Sequence, residues 1–403
     1  MAGRRRGVLA LVLILLIGIA CACSSPPMRG STNPATRGPS TTSPARTTPG
    51  TTPPQNPSPP LAAGTSLPGY RVGPLSFVSP SHGFGLIEFD TTGLSTAQQL
   101  VVTGDGGVTW QAATAVALPA WVSSLAFTDA DDGYAWGFQG LDVTHDGGRH
   151  WELSLSVDLG HAAVSPIGAS IWAISSADEL ETSRDGGNTW QPLTPPPLSG
   201  PAVLDRVSLS VAYVLGVGQG TVNGSPSADL ARTEDGGLTW QTLSVPQGCA
   251  WNPDWCDLVA LTTDDVWLVQ FSSPATDMSS QWVYRSYDGG THWSLMASEN
   301  LGDPNERTGQ MSATGDFGPL SVLASDPDRA WLAEDRGGLL VTTDGGLNWQ
   351  PAFSDPNADA DGPPTVSFLD AAHGWAATGD GLWRTTDGST WTEIAPPPPG
   401  FGG

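Results

Sequence analysis

One short pattern returns seven times along the chain, and few folds can host it. The copies read TGDGGVTW at 103 to 110, THDGGRHW at 144 to 151, SRDGGNTW at 183 to 190, TEDGGLTW at 233 to 240, SYDGGTHW at 286 to 293 and TTDGGLNW at 342 to 349; the last, TTDGSTW at 385 to 391, is one residue short. An apolar stretch such as LVVT, LLVT or LWRT precedes a copy, and a short run such as WQTL or WELSL follows. Two β-compatible runs around Asp-Gly-Gly mark a hairpin, because Gly adopts positive φ without a Cβ clash. Inside the turn the carboxylate can accept backbone N–H groups, the Ser or Thr can add a bond, and the Trp is expected to pack over the hairpin. Asp105, Asp146, Asp185, Asp235, Asp288, Asp344 and Asp387 are therefore read as structural.

Upstream of each turn lies an aromatic-centred strand: GFGLI at 83, GYAWG at 133, SIWAI at 170, AYVLG at 211, DVWLV at 265, RAWLA at 329 and GWAAT at 374. Another apolar run precedes it, for example LSFV at 75, SLAF at 124, LVAL at 258 or VSFL at 366. Four short strands in a repeat of roughly 40 residues read as a propeller blade. The expected fold is all-β, a seven-bladed β-propeller of four-stranded antiparallel blades over 65–397, preceded by a signal segment and a disordered linker.

The pattern Ser/Thr-x-Asp-x-Gly-x-x-Trp resembles the Asp-box, or BNR, repeat of sialidases, sortilin-type receptors, xyloglucan-degrading enzymes and photosystem II assembly factors. GWA followed by TTDGG and Trp is most similar to the last group and its relatives. The resemblance covers roughly residues 70 to 394. It implies the propeller but no activity, since the box is a structural turn in these families and one fold hosts many functions.

The N-terminus addresses location. Arg4, Arg5 and Arg6, an apolar run from Val8 to Ala20 and then small residues have the layout of an export signal. Small residues ahead of Cys21 and Cys23 make 1–23 look like a lipoprotein signal in which Cys23 or Cys21 carries the lipid. Residues 24–64 hold Ser, Thr, Pro and Gly with little to bury, and are expected to form an extended tether. The whole chain carries a net charge of -24 and its 16 basic residues are all Arg. That balance excludes a phosphate-binding face for nucleic acid and broad adhesion to anionic lipid, leaving membrane association to the anchor. Export also makes a Cys249–Cys256 disulfide reasonable in CAWNPDWC.

The repeats differ in their connections. From the central aromatic to the turn Asp there are 12 or 13 residues in four blades, but 21 or 22 from Phe84 to Asp105, Tyr213 to Asp235 and Trp267 to Asp288. The extra residues are expected between second and third strands. Long blade-to-blade connections precede blades five, six and seven, and an up-and-down sheet brings both kinds of connection to one face. A binding surface is expected there. Trp251, Asp254 and Trp255 in the Cys-bounded segment are the candidate ligand-binding residues, for a sugar ring or a partner side chain; the alternative folds both Trp back onto the blade.

Other chemistry is less well marked. Asn357, Asp359 and Asp361 imitate the front of a calcium loop, but Phe368 stands where the bidentate Glu belongs, so a solvated acidic turn is the preferred reading and no cofactor is expected. A sialidase-like hydrolase would need three convergent Arg, a Tyr–Glu pair and an Asp acid, as the resemblance implies. Arg232, Arg285 and Arg384 each precede the Ser or Thr of a turn, which points to a repeated surface role. No local motif marks a triad among Arg71, Arg149, Arg206, Arg307, Arg329 and Arg336, nor a carboxylate pair among Glu88, Asp129, Glu299, Asp316 and Glu334. The expected role is thus a non-catalytic binding or assembly scaffold for an envelope protein or glycan, with no catalytic residue assigned; the alternative is an extracellular sialidase-like glycoside hydrolase.

Overall fold

In the computed structural model the described residues are 70–90, 96–113, 118, 121–159, 164–222, 225–246, 256–271, 280–299, 308–311, 317–334, 337–355, 364–378 and 381–395. They form seven sheets, each of four consecutive antiparallel strands in chain order. Blades 1 to 7 run over 70–112, 122–155, 164–192, 199–244, 256–299, 317–354 and 365–394. First strands touch between blades 1 and 2 and in each joint from blade 3 to blade 7, while blades 2 and 3 share a cluster of Tyr134, Val143, Val164 and Ile171. The first strand of blade 7, Thr365–Phe368, touches that of blade 1, Tyr70–Phe77. The sheets therefore close into a seven-bladed β-propeller with the first strands innermost.

Second strands are sandwiched between neighbouring blades. Val266–Phe271 in blade 5 and Gly374–Thr378 in blade 7 are buried at every position, which is why they read as continuous apolar runs and not as alternating ones. Their central aromatics carry the joints. Phe77 stacks on Trp375 at 3.5 Å between centroids, Phe127 on Phe84 at 3.5 Å and Phe368 on Trp331 at 3.9 Å, each pair joining a first strand to the preceding blade's second strand. Phe127 lies flat because its cross-strand partner is Gly133, where a Cβ would meet the ring at 2.4 Å. In blade 4 Arg206 takes the Phe position and sets its guanidinium 4.7 Å over Trp172.

Among the described strands, none is shared across the joint between blades 7 and 1. Besides the Phe77–Trp375 stack, Trp375 Nε1 donates to Gly106 O at 3.0 Å, Arg384 Nη1 donates to the same carbonyl at 3.0 Å, and Phe77 N donates to Ser367 Oγ at 3.3 Å.

The recurring turns have the internal logic expected of them. In blade 6, Thr342 Oγ1 donates to Asp344 Oδ1 at 2.9 Å and accepts Gly346 N at 3.1 Å. Asn348 sends its backbone N to Asp344 Oδ1 at 2.9 Å and its side-chain Nδ2 to Oδ2 at 2.6 Å. Thr109, Thr189, Thr239, His150 and His292 supply the second bond in their own blades. These bonds favour the ionised carboxyl. The His150 side chain holds Asp146, the Thr239 hydroxyl Asp235, and the His292 backbone Asp288 at a pKa of about 2.

The turns also join blades, which the sequence reading did not anticipate. Trp349 bonds its own turn through Nε1 to Gly346 O at 3.0 Å, yet packs with Trp267 and Met296 of blade 5. Trp110 similarly meets Trp375 and Ile394 of blade 7, and Trp151 meets Phe84 and Leu100 of blade 1. The second Gly is required for two reasons. Gly148 has φ of 80°, and a Cβ on it would lie 2.2 Å from Leu100 Cδ2 of the preceding blade.

Two expectations about the insertions are corrected. The extra residues of blades 1 and 4 do lie between second and third strands, but most extend the hairpin as strand: Gly83–Asp90 with Thr96–Thr103, and Ala212–Val222 with Ser225–Thr233. The blade 5-to-6 connection does not stay on the long-connection rim. Residues 308–311 run into the wall between the blades, where Ser298 N donates to Thr308 O at 2.8 Å and Gln310 N to Leu347 O at 2.9 Å. Met311 is buried in that joint, so apolar burial draws the segment downward.

Gly148→Ala should lower stability by about 1–3 kcal/mol through overpacking and a strained φ, read as a lower urea midpoint at unchanged slope. Acid should act on the turns. Their carboxyls are depressed from 3.8 to about 2, so their contribution is present above pH 3.8 and lost as pH falls through about 2. Thermal midpoints measured across that window should fall.

Candidate functional site

The rim of long connections centres on blades 4 to 6. Trp251, Asp254, Trp255 and Cys249 lie outside the described residues, as do Asn357, Asp359, Asp361, Asp316, Arg307, Arg336, Cys21 and Cys23. The anchors of the Trp-bearing segment are described. Gln270 Nε2 donates to Pro246 O at 2.7 Å, just before the segment. Cys256, which ends it, is buried, pairs in register with Gln270 and packs with Tyr213 and Leu215 of blade 4. Both ends are thus fastened to one residue of blade 5.

Beneath the rim the blades hold buried polar side chains. In blade 1 Gln98 Nε2 donates to Glu88 Oε1 at 2.6 Å and to Val122 O of blade 2 at 2.9 Å. The equivalent residue of blade 5, Gln281, sits between Phe271 and Glu299 with no exposure. Glu299 and, in blade 6, Glu334 are also buried.

The sequence reading missed the inner wall. First strands are edges whose free N–H groups face the channel and need partners. Ser76 Oγ accepts Phe127 N at 2.9 Å and Ser367 Oγ accepts Phe77 N, each from the following blade. Between blades 4, 5 and 6 carboxylates do this work. Asp205 Oδ2 accepts Ala260 N at 2.8 Å, and Asp257 Oδ2 accepts Leu320 N at 2.7 Å. Desolvation raises both acids, Asp257 to about 6 with the charge of Asp205 contributing, although its backbone bonds act the other way. The available signal was an acid on the first strand: Asp205 in LDRV, where LSFV and VSFL carry Ser opposite the central aromatic, and Asp257 in CDLV two residues before the equivalent Val259.

The repeated surface role expected for Arg is corrected too. Arg285 is 2% exposed; Nε and Nη2 grip Asp265 at 2.8 and 2.7 Å, and Nη1 reaches Asp328 of blade 6 at 2.7 Å. Burial opposes its charge, but the bonds from Asp265 and Asp328 outweigh that and raise its pKa. Arg384 reaches from blade 7 to blade 1, and Arg232 pairs with Glu234 beside the blade 5 turn. Arg285 and Arg384 thus bond one blade to the next, and Arg232 lies against the next blade's turn, because a residue before the turn Ser or Thr points that way.

The candidates for hydrolytic chemistry are dispersed. Arg206 bonds Ser165 O and Ser170 O of blade 3 at 3.0 Å, Arg329 pairs with Asp326, and Arg149 caps Asp146 O. Among the described residues these do not form a triad. Glu88 is engaged by Gln98, and Asp129 accepts Asp131 N and Asp132 N on the opposite face. That face also has a cleft of about 320 Å3 between blades 2 and 3, lined by His145, Asp146, His150, Glu152, Leu153 and Asn188. Its His150 and Asp146 bond each other, and His145 pairs with Asp132. No group of three or more described His, Cys, Asp or Glu is arranged to hold a metal.

No protein-family model and no curated protein matches the sequence. Solved structures match in fold. YCF48 bound to D1 peptide superposes with a TM-score of 0.52 at 18% identity, covering 80% of this chain and 95% of that one. YCF48 from Cyanidioschyzon merolae gives 0.50 at 15% identity, covering 80% and 97%. The GH74 xyloglucanase from Xanthomonas campestris gives 0.55 at 15% identity, covering 83% of this chain and 55% of the enzyme. At these identities the likeness is one of propeller architecture.

The inner wall makes a pH prediction opposite in sign to that of the turns. Asp257 is raised from 3.8 to about 6, so the folded state binds a proton that the unfolded chain releases, and stability falls as pH rises through that window. Asp257→Asn should raise the thermal midpoint at pH above 7 and leave it nearly unchanged below pH 4. An equal shift at both pH values would show that the carboxyl does not titrate there.

Proposed function

We propose that this chain is an exported, lipid-anchored, non-catalytic Asp-box propeller that binds a protein partner of the cell envelope across its long-connection rim. The observation that carries the reading is the use made of the charged side chains. Asp205 and Asp257 accept neighbouring backbone amides, while Arg206 and Arg285 are consumed in joints, so the inner wall is committed to architecture. Recognition then falls to the rim segments, above all the one fastened at Pro246 and Cys256. A Cys249–Cys256 bridge would stiffen that segment and present Trp251 and Trp255 at low entropic cost. The peptide held by YCF48 supports a polypeptide ligand for this architecture. Export and a lipid on Cys23 or Cys21 follow from the N-terminal pattern, and the tether over 24–64 would give the propeller reach.

A hydrolase reading draws on Asp205 and Asp257 being two carboxylates on adjacent inner strands. It requires that both be released from their backbone bonds.

Cross-linking in intact envelopes should recover a protein partner with the wild-type chain. The Trp251→Ala/Trp255→Ala double variant should reduce recovery about tenfold or more at unchanged thermal midpoint. Equal recovery would remove the two Trp from the site. Turnover of fluorogenic sialosides or xyloglucan oligosaccharides, lost in Asp205→Asn, would establish the hydrolase in its place.

A further inference from the structure

Two arginines lie between the turns of three successive blades in an arc on the face opposite the rim, Arg232 against the blade 5 turn and Arg285 bonded to Asp328 of blade 6. Gly289 N and Gly345 N of the blade 5 and 6 turns donate to Asp264 O and Asp328 O, placing these turns beside the hairpin ends of the first and second strands. Arg285 lies at the centre. Its guanidinium carbon is 4.8 Å from the ring centroid of buried Trp267 and 4.7 Å from that of Tyr287, which is 58% exposed. Since Asp265 and Asp328 pin the guanidinium, Tyr287 rests on a fixed planar support and still shows much of its surface to solvent. A supported aromatic has little rotamer freedom left to lose, which is the property of an interface anchor.

The neighbours are arranged around that ring. On one side is the blade 6 turn: a Cβ on Gly345 would come within 2.8 Å of Arg285 Nη1, and Leu347 projects from the same turn. On the other side is blade 4: a Cβ on Gly289 would lie 2.5 Å from Arg232 Nη1, and Arg232 pairs with Glu234 in the turn that exposes Leu238. Leu238, Tyr287 and Leu347 thus belong to three consecutive turns. Exposed carboxylates accompany them, Glu234 at 62% and Asp328 at 63%. Arg232 is paired with Glu234 and Arg285 with both Asp265 and Asp328, so the arc sets three carboxylates against two cations and offers outward apolar surface with an excess of one negative charge.

Charge selects among occupants. A second copy of this chain brings the same strong negative charge, and an anionic bilayer brings its own, so both are repelled. We propose that the arc formed by Leu238, Tyr287 and Leu347 with Glu234 and Asp328 is a second docking surface, fitted to a polypeptide segment in which Lys or Arg alternates with aliphatic residues. The aliphatic groups pack on Tyr287 and the two Leu, and the cations reach the flanking carboxylates. This surface is separate from the rim and stands without the rim reading.

The test uses the full mature chain and synthetic peptides alternating Lys with Leu, with Asp–Leu peptides of the same length as controls, followed by fluorescence anisotropy. The Lys–Leu peptide should bind and the Asp–Leu peptide should not. Tyr287→Ser should weaken binding about tenfold, Tyr287→Phe should retain it, and the Glu234→Gln/Asp328→Asn pair should weaken it and flatten its salt dependence. Trp251→Ala/Trp255→Ala should leave it unchanged, which separates this surface from the rim. Wild-type binding by Tyr287→Ser, or equal binding of the two peptides, would overturn the proposal. So would self-association in sedimentation that Tyr287→Ser abolishes, since the arc would then join copies of the chain. If Tyr287→Ser fails to fold, the Glu234→Gln/Asp328→Asn pair decides alone: unchanged affinity overturns the proposal.

Discussion

The contact between one blade's aromatic second strand and the next blade's first strand and turn governs this molecule. A four-stranded sheet with a second strand buried at every position cannot face water on either side, so each blade must be covered twice. The ring is the arrangement that covers all seven alike. Its close tolerances follow: flat aromatic stacks at 3.5 to 3.9 Å, a turn glycine against Leu100, and tryptophans that serve their own turn and the blade behind it. A turn that seems local in sequence is therefore part of the ring's main interface.

Charge is used within the same scheme. The turn carboxylates are ionised acceptors with depressed pKa, stabilised by bonds inside a single turn. Asp205 and Asp257 span two blades in a shielded wall and are raised. The same side chain is thus tuned in opposite directions by how much water remains around it, since its hydrogen-bond donors lower the pKa in both settings and only in the wall does desolvation prevail. Arg206, Arg285 and Arg384 complete the pattern, each carrying bonds from one blade to another. An acidic chain with few cations has placed several of them where they fasten the ring.

How much of this could be read from the sequence depended on repetition. Seven copies of one turn, with aromatic strands ahead of them, made the blade count and strand order legible because each copy tested the others. Functions held by a single copy gave no such check. Asp257 was unreadable as a backbone acceptor because its donor, Leu320 N, lies in another blade. Arg285 looked like a surface residue because Asp265 is brought beside it only when the blade's strands pair, and Asp328 only after the ring closes. The path of 308–311 was hidden for a related reason: topology gives the side on which a connection starts, whereas the apolar slot that takes Met311 exists only between finished blades. Tyr287, inside a turn read as scaffold, gained its significance from the buried cation beneath it.

The joint between blades 7 and 1 gives the ring a seam. Elsewhere a covalent connection accompanies the packing, but here an aromatic stack, a few hydrogen bonds and the apolar cluster of Trp110 with Trp375 and Ile394 hold the first blade to the last, and no described sheet holds strands of both. Mechanical load applied at Tyr70 would enter through an innermost strand at that seam, so the ring could open there with every blade intact. By the same logic, joining the two ends and cutting a different blade-to-blade connection would move the seam around the circle, making the molecule a natural candidate for circular permutation.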